Sequence, residues 1–173
     1  MPQQTRATVD KLADAIAKGD KVDETAATFF KGNKDKLKET MWVFKPRQKD
    51  GKGGIGIGEK PGVYTPDGIE GIILTYGNPR RQALRAPELK VYTEDFLRLA
   101  DVTLAMAEIT DKYVPQKAVG AKTPAAWSAA NDDMKKAALQ LKDAIKARNS
   151  ADVKKAFGAI GASCIRCHDI FGN

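Results

Sequence analysis

The clearest pattern along the chain is helical. Over 150–171 the apolar positions Val153, Phe157, Ile160, Cys164, Cys167 and Phe171 recur at spacings of four and three, the repeat of a single helix face. Ser150 reads as the N-cap, and Asp152 puts a negative charge in the first turn, where the helix dipole favours it. Residues 123–148 follow the same logic. Thr123 is the N-cap, Pro124 takes the first helical position, and Trp127, Ala130, Met134, Ala138, Leu141 and Ile145 form one stripe. The turn at 149–151 is so short that these two helices must fold back as antiparallel neighbours, which carries Trp127 and Met134 towards the end of the last helix.

Upstream, Thr93 reads as an N-cap with Glu94 and Asp95 in the first turn, and Phe96, Leu99, Val102, Leu104, Met106, Ile109 and Tyr113 continue a helical pattern that Pro115 closes. The N-terminal part divides into helices near 7–18 and 22–44, interrupted at Gly19-Asp20 and Gly32-Asn33. Its expected buried positions are Val9, Leu12, Ile16, Phe29, Phe30, Leu37, Met41 and Phe44. The expected architecture is therefore all-α: an antiparallel four-helix bundle forming a single domain over 1–173, with an extra N-terminal helical segment and a long Gly/Pro-rich insertion at about 45–90.

Within that insertion GlyIleGlyIleGly (54–58) invites comparison with a phosphate-binding loop. No strand pattern precedes it and no helix pattern opens at it, so an ordered loop folding beside the functional end of the bundle is the better reading. Ile69 to Leu74 suits a short helix or an edge strand.

Composition narrows the class. With 42% hydrophobic and 29% charged residues in 173, the chain suits one globular core. No run approaches the apolar length of a membrane span, and the first residues lack the apolar stretch of a signal peptide, which suggests a mature or trimmed chain. Lys and Arg number 29 against 22 Asp and Glu, a net charge of +7, which favours acidic partners. Nucleic acid is not the expected one. Basic residues alternate with acids along the helices, and the sparse aromatics do not interleave with them as a stacking platform does.

The chemistry is concentrated at the end. The chain's two cysteines and one histidine all lie in Cys164-Ile165-Arg166-Cys167-His168. Cys-x-x-Cys-His is the attachment signature of c-type haem. On a helix, positions i and i+3 share a face, so both thiols can add to the vinyl groups of one porphyrin edge, while a histidine at i+4 can bring its imidazole under the iron. Three other readings compete. A thioredoxin-like pair sits at a helix N-terminus, whereas this one lies near a helix end. A structural zinc needs a fourth ligand that no further Cys or His supplies. Two buried thiols beside a core histidine would be coincidence.

With this motif on the last helix of a bundle, the chain resembles the class II c-type cytochromes, the cytochrome c prime and c-556 group. The likeness is best over 93–173, where TrpSerAlaAlaAsnAspAspMet and AlaAspValLysLysAlaPheGlyAlaIleGlyAlaSerCysIleArgCysHisAspIlePhe look like the family's third and fourth helices. It is poor over 1–92, and the 45–90 segment has no counterpart. The resemblance implies one haem c held by Cys164 and Cys167, with His168 as the proximal iron ligand and Trp127 packing by the porphyrin. Phe171 closes the apolar face that runs through the motif, and Met134 is expected against the porphyrin. Members commonly carry Arg or Lys four residues after the histidine; here that residue is Gly172, and Arg166 is the nearby substitute.

Two subgroups differ at the sixth coordination site: a methionine ligand makes a low-spin electron carrier, and an empty site binds NO or CO. Met41, Met106 and Met134 are the internal candidates, with Met106 read as core filler and Met41 as the possible distal ligand beside the unusual loop. Electron transfer is the leading reading, gas binding the alternative. An enzyme is not expected, because no second histidine is present as a distal acid–base group. The resemblance further implies a periplasmic or equivalent compartment, a redox partner protein of acidic character, and the option of a homodimer.

Overall fold

A computed structural model describes residues 3–48, 53–58, 60, 62–65 and 67–172. Among the described residues seven α-helices follow in order: α1 Gln3–Lys18, α2 Asp23–Gly32, α3 Leu37–Thr40, α4 Ile69–Tyr76, α5 Ala86–Thr110, α6 Pro124–Lys146 and α7 Ser150–Phe171. Short 3-10 turns follow α3, at Met41–Phe44, and α5, at Asp111–Tyr113. Among the described residues there is no strand, only an isolated bridge between Val119 and Lys122. The fold is all-α, as the periodicity predicts.

The central helix is α5. Every residue from Leu99 to Ala107 is buried, so this stretch is enclosed all round rather than on one stripe. Helix α6 packs along it and α1 lies against it as well. The α5–α6 crossing is antiparallel: the Trp127 indole donates to the Thr110 carbonyl, Asn131 to that of Ala107, and Lys142 pairs with Asp101 further along. Helix α7 returns along α6, with Arg166 opposite Asp133 and Phe171 opposite Trp127. One hydrophobic cluster, from Val9 through Phe96, Leu99, Met106 and Leu141 to Phe157 and Ile160, joins these elements.

Several helix starts differ from the sequence reading. Helix α7 is capped by Asn149, whose side chain accepts from the amides of Ala151 and Asp152, so Ser150 is its first residue and not its cap. Helix α5 begins at Ala86, with Pro87 in its first turn, and the Glu88 carboxylate reaches back to the Arg85 amide at 2.8 Å. Thr93 is therefore inside the helix, and its hydroxyl donates to the Leu89 carbonyl at 2.9 Å. The stop comes at Thr110, before Pro115. Thr123 does cap α6, accepting from the Ala126 amide at 3.0 Å. The break at Gly32-Asn33 divides the 22–44 region into α2, α3 and a 3-10 turn.

The 45–90 segment is not one loop. Its middle forms α4, which lies antiparallel against α7: Gly77 faces Gly158, Tyr76 faces Phe157, and Ile73 faces Gly161. A Cβ on Gly77 would stand 2.7 Å from the Gly158 amide nitrogen, so the two backbones meet this closely only because Gly77 lacks a side chain. Before α4, residues 53–58 pack back onto 43–46. The Gly54 amide donates to the Pro46 carbonyl at 2.9 Å and the Ile55 amide to that of Val43 at 3.3 Å. Arg47 fastens this strap. Its guanidinium grips Asp67 at 2.9 Å and donates to the carbonyls of Ile57, Gly58 and Lys60. Ile55 and Ile57 are buried beneath it.

Candidate functional site

The last turns of α7 carry Cys164, Cys167, His168 and Phe171 on one side of a continuous helix. Cys164 and Cys167 are half-buried free thiols, and Cys164 packs against the main hydrophobic cluster. Burial pushes the Cys164 thiol up to about 11, and the Glu70 carboxylate of α4 adds to the shift. Burial raises Cys167 as well. Both groups therefore rest as neutral thiols at neutral pH. His168 is exposed, and its carbonyl accepts the closing bond from the Gly172 amide at 2.8 Å.

The apolar wall beside the motif comes from α6. Trp127 is 7% exposed and its indole meets the Phe171 ring edge to face at 4.9 Å. The indole N–H is used by the Thr110 carbonyl at 3.0 Å. Met134 is buried two turns further along α6, where the α6–α7 register brings it level with Cys164. Beneath Trp127 is a polar network that the sequence reading missed. The Thr110 hydroxyl donates to Asn131 Oδ1 at 2.8 Å, and Asn131 Nδ2 donates to the Ala107 carbonyl and to Asp111. Its only sequence signal is an Asn set on the buried stripe of a helix.

Arg166 is exposed and ion-paired to Asp133 of α6, so its charge is directed across the α6–α7 surface. Met106 is fully buried within the main cluster, in agreement with its reading as core. Met41, half-buried, opens the 3-10 turn after α3. Thr40 before it lies beside Tyr113, Pro46 after it lies against Gly68, and Glu70 adjoins Cys164. The segment 40–46 thus crosses the end of the bundle that holds the cysteines. This crossing, and the nearness of the Glu70 charge to Cys164, depend on long-range packing that no periodicity announces.

Comparison with known proteins adds one finding. Residues 103–171, 69 of the 173, match the family model described as Cytochrome C'. The matched part comprises most of the C-terminal half of α5 with α6 and α7, the elements that build the wall and carry the motif. With the all-α fold, this supports a class II c-type cytochrome. No curated protein and no solved structure matches the chain.

That family implies covalently bound haem, and the residues here fit one. Two free thiols one helical turn apart, an imidazole in the next position and a buried indole with a phenyl ring beside them supply attachment, axial ligation and an apolar lining. Among the described residues no group of three or more His, Cys, Asp or Glu is placed to hold a bare metal ion.

Proposed function

We propose that the protein is a monohaem c-type cytochrome that transfers single electrons. The observation that carries this reading is the pair of half-buried free thiols at i and i+3 on α7, followed at once by the chain's one histidine. Cys164 and Cys167 are the attachment residues and His168 is the proximal ligand. When bound there, haem supplies a reversible one-electron change between ferric and ferrous iron.

The chain's residues prepare the site in three ways. Burial holds both sulfurs as neutral thiols, so no anion is left unpaired in the apolar wall before attachment. Trp127 and Phe171 keep water from one side of the motif, and the Trp127–Thr110 bond fixes the indole in place. Asp133 draws the Arg166 cation away over α6. Met41 is the proposed distal ligand, because segment 40–46 crosses the bundle end between the α5–α6 connection and α4. A neutral thioether there favours low-spin iron and raises the potential. No imidazole remains for distal acid–base work, which favours a carrier over an enzyme. Attachment of haem c implies an extracytoplasmic compartment such as the periplasm, and the net charge of +7 favours an acidic redox partner.

The test is the absorbance spectrum of protein made with haem-maturation machinery, taken ferric, dithionite-reduced and under CO. A six-coordinate carrier gives sharp reduced α and β bands that ignore CO, and Met41→Ala turns them high-spin and CO-responsive while Met106→Ala and Met134→Ala do not. A wild-type spectrum that is already high-spin and shifts with CO establishes the NO/CO-binding alternative instead.

A further inference from the structure

The bundle end that carries the cysteines also carries a run of four exposed lysines. Its parts are joined by side-chain contacts: Trp127 at the start of α6 touches Phe171 at the end of α7, and Tyr113 past α5 packs its ring on Phe30 and donates to the Asn33 carbonyl. The segment from Lys31 to Lys38 is thereby fixed to this end. Lys31, Lys34, Lys36 and Lys38 are all exposed, and among the described residues none of them meets a carboxylate at ion-pair distance. Asp35 and Glu39 are interspersed with them. Of the other acids nearby, Asp23 pairs with Lys112, Asp133 with Arg166, and Asp111 with Lys135 and Asn131, while Glu70, Asp132 and Asp169 are exposed and lie outside the 31–38 segment.

The adjoining 116–122 turn adds Lys117 and Lys122 around an apolar tip. Val119 is 72% exposed, and the reciprocal bonds between Val119 and Lys122, both 3.0 Å, hold the turn in shape. An apolar point rimmed by cations has the make-up of a transient protein-docking patch. It does not suit nucleic acid, because the rings beside these lysines, Phe30 and Tyr113, are packed on each other at 4.8 Å and form no stacking platform for a base.

We infer that Lys31, Lys34, Lys36 and Lys38, with the turn bearing Lys117 and Val119, form the docking surface for an acidic partner protein. The inference rests on the proposed electron-transfer function, since it gives that partner a landing site at the end that holds Cys164, Cys167 and His168. Long-range attraction speeds encounter, and the apolar tip sets the docked position.

The test uses the reduced holoprotein and an acidic flavodoxin as probe. Amide shifts on titration should map to 31–38 and 116–122, with binding that weakens as salt rises. Lys34→Glu with Lys38→Glu should slow association by about tenfold or more at low salt. Lys90→Glu with Lys146→Glu makes the same charge change at the start of α5 and the end of α6, the opposite end of the bundle, and should change it less than about twofold. Circular dichroism checks that both variants keep their helices. Shifts that map elsewhere, equal losses in the two variants, or tighter binding of a duplex oligonucleotide to the same lysines would each overturn the inference. The haem spectrum of the same samples reports separately on the electron-transfer reading, so failure of one is not mistaken for failure of the other.

Discussion

The indole of Trp127 and the phenyl ring of Phe171 meet edge to face, with centroids 4.9 Å apart and planes at 79°. They join the first turn of α6 to the last turn of α7, the turn that also contains His168. Such a pair contributes about 0.5–1.5 kcal/mol beyond its buried area. Phe171→Leu keeps the apolar volume but removes the ring, and we expect the holoprotein to lose about that much stability in urea. Fraying of the last helical turn should accompany it, read from faster amide exchange at His168 and Asp169.

Asn131 is buried with three hydrogen bonds, to Thr110, Ala107 and Asp111. Asn131→Ala removes all three bonds, while the Thr110 hydroxyl keeps the Ala107 carbonyl at 3.2 Å and that carbonyl keeps the Asp111 amide, so the expected cost is about 1–3 kcal/mol. Asn131→Asp is expected to cost more, because it sets a second carboxylate beside that of Asp111. Denaturant melts of the two variants against wild type give the order.

Arg47 closes the strap at 53–58 with the Asp67 carboxylate and the backbone carbonyls of Ile57, Gly58 and Lys60. Lysine lacks the planar fork needed to reach them together. In Arg47→Lys the strap should lose about 2 kcal/mol, which corresponds to roughly 30-fold faster exchange of the Gly54 and Ile55 amides through local opening. Helices α6 and α7 should keep their protection, because Arg47 touches neither.

Tyr64 is almost fully buried and donates to the Asp95 carboxylate at 2.7 Å. Burial first, and then the bond and charge of Asp95, raise its phenol above the ordinary tyrosine value. The folded chain therefore holds this proton more tightly than the unfolded one, and stability falls once pH exceeds the unfolded value of about 10. Below that pH the contribution is fully present. Tyr64→Phe should lower stability at pH 7 by about 1 kcal/mol through loss of the bond, and should flatten the alkaline decline expected of the wild type above about pH 10 in melts taken as a function of pH.

What was legible in the sequence follows from how local each signal is. Helices α6 and α7 could be read because their stripes keep one period and their caps lie at the ends, although Asn149 outcompeted its neighbour Ser150 for the cap. The start of α5 was misread at Thr93 because a mid-helix Thr that bonds back to Leu89 resembles a cap in sequence; Pro87 and Glu88 were the true signal. The thiols and histidine were plain from spacing alone. Their surroundings were not, because the Glu70 charge comes near Cys164 only through the packing of α4 on α7, and the strap takes its shape from Arg47. Neither relation has a period, and both join residues far apart in the chain.

The central claim is covalent attachment at Cys164 and Cys167, and its most direct test is acid–acetone extraction of the purified holoprotein followed by a pyridine haemochrome spectrum of the chain. The account predicts that haem stays with the protein, that its α band is that of a porphyrin with both vinyl groups saturated, and that neither thiol reacts with a thiol reagent after denaturation. Haem that passes into the acetone, or two titratable thiols on the coloured protein, would contradict it.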